Sequence, residues 1–164
     1  MSIPDIHIQR ARPNEVSLLS ELIRRSFRDV AERFGLTAQN CPKHPSNCTD
    51  GWVQDDFARG ATYYVLQADG CPTGCVALEQ ADSDTCYLER LAVLPESRRQ
   101  GFGRQLVHQV LTKAKELGAK AISIGIIAEQ TELKEWYVGL GFVEGETKKF
   151  EHLPFRVTFM TYQL

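Results

Sequence analysis

Two spacings of apolar residues alternate along this chain and predict interleaved strands and helices. Ile6 and Ile8 against His7 and Gln9 give the two-residue period of a first strand, 6–10. Pro13 suits a first helical turn. Val16, Leu19, Leu22, Ile23, Phe27, Val30 and Phe34 then follow at helical spacing, so 14–34 reads as one helix or two joined by a kink, ended by Gly35. Residues 37–50 are rich in Pro, Asn, Ser and Cys and read as a loop. Trp52, Val53 and Phe57 predict a short amphipathic helix that stops near Gly60. Residues 62–68 form a strand, Asp69-Gly70 marks a turn that Cys71, Pro72 and Thr73 complete, and 74–80 returns as the second strand of a hairpin.

After a turn at 81–84, residues 85–93 carry apolar side chains on both faces, the pattern of a central buried strand. Leu106, Val107, Val110, Leu111, Ala114 and Leu117 make the apolar stripe of a helix, with Gly118 as its C-cap. Ala121 to Ile127 is a short β-branched run, a buried strand. Leu133, Trp136, Tyr137 and Leu140 give a last helix closed by Gly141, and strands are expected from Phe142 onward and over 155–162. Strand, helix and strand between 85 and 127 require a parallel crossover, which is right-handed. The expectation is an α/β fold, with a mixed, mostly antiparallel central sheet flanked by helices. One domain over 1–164 accounts for every element, without repeat or linker.

Composition narrows the classes. The 164 residues are enough for a core without disulfides, and 43% hydrophobic with 24% charged residues is ordinary for a globular protein. A net charge of −2 gives no reason to expect nucleic acid or an anionic membrane as partner. No run approaches the ~20 apolar residues of a membrane span. The start, Met1-Ser2-Ile3-Pro4-Asp5, lacks the pattern of a secretory signal, so a cytoplasmic location is expected. The five cysteines, Cys41, Cys48, Cys71, Cys75 and Cys86, are then expected as thiols.

The chemistry concentrates between the buried strand and the helix that follows, in Arg98-Arg99-Gln100-Gly101-Phe102-Gly103. A helix N-terminus presents backbone N–H groups without internal partners and, with the helix dipole, attracts anions. Glycines let the backbone approach a phosphate, and Arg98, Arg99 and Arg104 add positive charge. Neither common phosphate motif fits. No Lys-Ser or Lys-Thr follows Gly103, and position 106 is Leu where a dinucleotide fingerprint has Gly.

The stretch from Leu91 to Arg104 (LAVLPESRRQGFGR) instead resembles motif A of the GNAT N-acetyltransferases, [Q/R]-x-x-G-x-[G/A]. Trp136 to Phe142 (WYVGLGF) resembles that family's Y-x-x-x-G-F at the usual distance. The resemblance implies the GNAT acyl-CoA N-acyltransferase fold and acetyl-CoA as cosubstrate, with an amine of a small molecule or protein as acceptor. It implies direct attack of the amine on the thioester, and a homodimer as one possible assembly.

Carried over residue by residue, it implies that amides from Arg98 through Arg104, with Gln100 and Phe102 between the glycines, cradle the pyrophosphate. Leu91, Ala92 and Val93 would contact the pantetheine arm, with the Val93 amide on the thioester carbonyl. Tyr137 would assist the leaving thiolate. With a phenol near ~10 against a thiol near ~8.5, a hydrogen bond describes this better than full proton transfer. Where many members have Asn seven residues before the tyrosine, this chain has Gln130, with the same donor and acceptor on a longer stem. Glu89, charged within an apolar strand and on the Leu91 and Val93 face by the two-residue period, is the candidate general base; an ion pair with an Arg is the alternative.

Cys41, His44 and Cys48 stand at Cys-x2-His-x3-Cys, close to zinc-site spacing but without an evident fourth ligand. A structural or acceptor-facing loop is the other reading, and there His44 is the candidate for substrate contact. Two rival functions stay open beside acetyl transfer: an acyl-CoA-binding module without catalysis, and a zinc-dependent protein built on this loop.

Overall fold

The computed structural model describes residues 2–164. Seven strands form one sheet in the order β1-β2-β3-β4-β5-β7-β6. They are β1 Ile6–Arg10, β2 Thr62–Ala68, β3 Cys71–Gln80, β4 Thr85–Val93, β5 Ala121–Ile127, β6 Val143–Lys149 and β7 Arg156–Gln163. Four helices cover it: α1 Val16–Phe34, α2 Asp50–Ala58, α3 Phe102–Glu116 and α4 Thr131–Leu140. Among the described residues only β4 and β5 run parallel, joined through α3 as the crossover requires; the other pairs are antiparallel.

The 14–34 pattern resolves into one uninterrupted α-helix after a short 3-10 turn at Pro13–Glu15. Gly35 ends it at φ +63°, its N–H returned to the Ala31 and Glu32 carbonyls. The β2–β3 connection is shorter than the sequence suggested. Asp69 (φ +52°) and Gly70 (φ +79°) make a two-residue turn by themselves, so Cys71 and Pro72 already pair with Ala68 and Gln67. Positive φ at both central residues matches the strand twist, which is why an Asp-Gly pair closes a hairpin so tightly.

Each face of the sheet has its own core. On one, Leu106, Val107, Val110 and Ala114 of α3 pack with Val76, Leu78, Leu88, Ile122 and Met160. On the other, Leu19, Leu22 and Ile23 of α1 and Val53 of α2 pack with Tyr63, Val65, Cys75, Ala77 and Ala92. The C-terminal end of α1 meets the end of β5 in a smaller cluster of Ala31, Leu36, Cys41 and Ile127. No helix among the described residues is long and apolar enough to cross a membrane.

Candidate active site

The site begins where two neighbouring strands part. β4 and β5 pair only at Thr85–Ala121, Cys86–Ile122 and Tyr87–Ser123. Beyond them β4 runs on without its neighbour, and a cleft of about 880 Å³ occupies the gap. Leu91, Ala92 and Val93 line it from β4; Ser26, Phe27, Val30 and Arg33 from α1; Gln130, Leu133 and Trp136 from α4 and its start. The cleft therefore joins the two faces of the sheet.

β4 is also irregular in itself. Ala77 of β3 opposes Glu89, yet Cys75 opposes Ala92, so Val76 faces two residues, Arg90 and Leu91. Arg90 sits at φ +55° in this bulge. One extra residue reverses the alternation beyond it. Leu91 and Val93 pack toward α3, whereas Glu89, opposite Ala77, lies on the α1 and α2 face. This corrects the expectation that Glu89 shares the face of Leu91 and Val93; Glu89 does not line the cleft.

The same shift aims the peptide groups. The Leu94 N–H bonds the Thr73 carbonyl on the β3 side at 3.0 Å, so the N–H and carbonyl of Val93 turn the other way, into the gap. The Val93 carbonyl accepts from Arg98 Nε there, at 3.2 Å. Among the described residues the Val93 N–H beside it has no protein acceptor.

At the head of the cleft, Arg99 (φ +65°) and Gly101 (φ +83°) turn the chain into α3. The first helical bond runs from the Gln105 N–H to the Gly101 carbonyl, 3.1 Å. Among the described residues, no N–H from Arg99 to Arg104 has a protein acceptor. These amides, the helix dipole and two cationic side chains without a carboxylate partner, Arg99 and Arg104, favour an anion. Gln100 is exposed and is the one loop residue outside the lining, and Phe102 anchors the loop with its ring in the core.

Two loop residues have roles that the sequence did not suggest. Arg98 is not an available phosphate ligand. Its guanidinium holds Asp29 at 2.6 Å, the Ser26 carbonyl at 2.5 Å and the Val93 carbonyl, tying α1 to the end of β4. Burial alone would raise Asp29, but the bond and charge of Arg98 outweigh it and hold its carboxyl below the usual range. Gly103 makes room for a neighbouring helix. A Cβ there would lie 3.3 Å from the Trp136 ring, so glycine lets α3 and α4 close together beside the cleft.

Tyr137 is buried, its ring edge-on between Trp136 at 4.9 Å and Phe142 at 5.2 Å between centroids. Among the described residues its hydroxyl has no hydrogen-bond partner, and burial pushes its ionisation above the ordinary phenol value. Trp136, next to it, lines the cleft while Tyr137 does not. Gln130 does line it, at the N-cap of α4, and its side chain makes no capping bond, which leaves the amide available. Opposite, Arg33 and Glu132 form a two-point ion pair at 3.0 and 3.1 Å that spans from α1 to α4.

Glu89 is pushed up to about 7, first by burial, then by the charge and hydrogen bond of Glu79. Glu79 is itself held by Arg59 Nε at 3.2 Å. A carboxyl near neutrality exchanges protons readily at working pH.

The Cys41, His44 and Cys48 spacing gathers no metal site. Among the described residues no three His, Cys, Asp or Glu side chains converge. Cys41 belongs to the cluster at the end of α1, Cys48 to the α1 and α2 core, and the Nδ1 of His44 is occupied by Ser46 at 2.7 Å. The folded loop points the two cysteine side chains into separate cores. His44 is buried and lies outside the cleft lining, against Phe27 at 5.8 Å, and Phe27 is a cleft residue.

Comparison with known proteins agrees with this geometry. The sequence profile of the Acetyltransferase (GNAT) family matches residues 19–142. An uncharacterized N-acetyltransferase, YjgM of Escherichia coli K12, is 28% identical over 123 residues, 73% of this chain and 74% of that protein. An amino-acid acetyltransferase of Pseudomonas fluorescens Pf0-1 is 34% identical over 103 residues, 62% of this chain but only 22% of that larger protein. Among solved structures, the PaiA N-acetyltransferase of Thermoplasma acidophilum, in complex with coenzyme A, superposes with a TM-score of 0.81. It is 16% identical, with 98% of this chain and 99% of that one covered.

Proposed function

The chain belongs to the acetyltransferase (GNAT) family, and from that premise we propose that its cleft binds acetyl-CoA and passes the acetyl group directly to an amine of a small molecule or protein. The observation that carries the reading is the run of unpartnered amides from Arg99 to Arg104 at the head of a cleft whose floor presents the Val93 N–H. The pyrophosphate sits on those amides with Arg99 and Arg104 beside it. The pantetheine arm runs along Leu91, Ala92 and Val93, within reach of the Gln130 amide.

The Val93 N–H donates to the thioester carbonyl as negative charge develops on its oxygen. One such preorganised donor is worth ~2.7–4 kcal/mol in acyl transfer. The amine nitrogen bonds to the carbonyl carbon, the C–S bond breaks, and the Tyr137 hydroxyl donates toward the departing thiolate through a water, as its place outside the cleft lining requires. A phenol made still harder to ionise by burial is suited to donating rather than releasing its proton. The amine's proton leaves through water to Glu89, whose raised value suits the task and whose position outside the cleft requires the intervening water. The acceptor approaches from the α1 side, past Phe27, which His44 backs. We place the protein in the cytoplasm, as one domain, with a homodimer as the assembly to test by light scattering.

The test follows free thiol released from acetyl-CoA against a panel of amines. Amine-dependent release supports the reading. Saturable binding without release for any amine supports a non-catalytic acyl-CoA-binding module in its place.

A further inference from the structure

The bulge in β4 is held from outside the strand. Arg90 is not a glycine, yet it keeps φ +55° in mid-strand, a conformation that persists only where the surroundings impose it. Its side chain is mostly buried. Nε lies 3.1 Å and Nη2 3.5 Å from the two oxygens of Asp56, and the guanidinium stacks over the Trp52 ring at 5.5 Å. Asp56, on α2, is 1% exposed. It also accepts from the Tyr63 hydroxyl and from Arg59. Burial would raise this carboxyl, but the bonds from Arg90 and Tyr63 outweigh it and keep it ionised. A buried carboxylate left without such partners would be strongly unfavourable, so the network has one low-energy arrangement, and that arrangement places Arg90.

Arg90 is one residue from Leu91 and three from Val93, and the bulge it occupies decides which peptide groups face the gap. We propose that Arg90 is a positioning residue. Locked by Asp56 and Trp52, it fixes the β4 bulge and so aims the Val93 N–H at the reacting carbonyl. The catalytic part of this inference rests on the acetyl-transfer reading above; the structural part does not.

The experiment compares Arg90→Lys and Asp56→Asn with Tyr63→Phe. Tyr63→Phe removes a bond to the same buried carboxylate without touching β4. Three quantities are read on each folded protein: kcat, the dissociation constant of acetyl-CoA, and amide hydrogen exchange at residues 91–93. A donor misplaced by about 1 Å costs ~100-fold in rate. The first two variants are therefore expected to lose about 10- to 100-fold in kcat, to lose less than that in affinity for acetyl-CoA, and to exchange faster at 91–93. Tyr63→Phe is expected to lower the melting temperature and to keep its kcat. Loss of kcat in all three in proportion to melting temperature would overturn the proposal, as would unchanged exchange at 91–93 in Arg90→Lys. A folded wild type without turnover would remove the acetyl-transfer reading, and hydrogen exchange would still decide whether Arg90 holds the bulge.

Discussion

Gly74→Ala tests whether the floor of the cleft depends on close contact between β3 and β4. Gly74 opposes Val93. A Cβ at this position would lie 2.7 Å from the Ala92 carbonyl oxygen, 3.2 Å from Leu106 Cδ1 and 3.4 Å from Val93 Cγ2. The first neighbour is backbone and cannot rotate away, so β4 must move by about half an ångström beside the cleft. Overpacking of this kind costs ~1–3 kcal/mol. At about 2 kcal/mol a domain of this size loses ~4–8 °C in melting temperature. Because Ala92 and Val93 line the cleft, the KM for acetyl-CoA rises as well. Gly139→Ala is the matched control. Nothing lies within 4 Å of its added Cβ, and alanine in a helix is favoured by ~0.5–1 kcal/mol, so it melts slightly higher with KM unchanged. Calorimetry and initial rates read both variants. A Gly74→Ala protein with wild-type melting temperature and KM would refute the argument.

Replacing both Arg99 and Arg104 by Glu leaves the core untouched and raises the KM for acetyl-CoA at least tenfold, about 1.4 kcal/mol, with a weaker dependence on salt than wild type; an unchanged KM would place the phosphates elsewhere. Glu89→Gln removes a carboxyl whose folded value, about 7, lies above its ordinary 4.5. The folded state keeps that proton between those values while the unfolded chain gives it up, so stability falls as pH rises through this window. The variant therefore melts higher than wild type at pH 8 and like it at pH 4.5, while its rate drops and loses the inflection near pH 7. A full rate would move the base elsewhere. Of the five cysteines only Cys71 is exposed, and burial pushes Cys48 up to about 11 and Cys75 to about 12. One thiol should react quickly with an aromatic disulfide at pH 8 and the rest only on unfolding; two fast thiols would contradict the burial.

The sheet, the helices and the glycine turn that opens α3 were legible because each rests on a local rule: spacing of apolar residues, a capping glycine, a helix start. What escaped was set by contacts between distant segments. The face of Glu89 follows from the bulge at Arg90, which breaks the two-residue period; two adjacent charges inside an otherwise apolar strand, Glu89-Arg90, were its one visible trace. Arg98 has the type and place of a phosphate ligand, and only the approach of α1, 72 residues earlier for Ser26, shows it engaged elsewhere. The backing of Phe27 by His44 likewise depends on how the loop after α1 folds back on that helix. The Cys and His spacing suggested a metal because spacing carries no direction, and the folded loop sends the two cysteines to different cores.

The cleft is proposed to hold acetyl-CoA by the amides that open α3. Titration of the folded wild type with acetyl-CoA by calorimetry, beside the Arg99→Glu/Arg104→Glu variant, tests it most directly. One saturable site is expected in the wild type and a much weaker one in the variant. A folded wild type that takes up no acetyl-CoA, or a variant that binds it equally well, would contradict it.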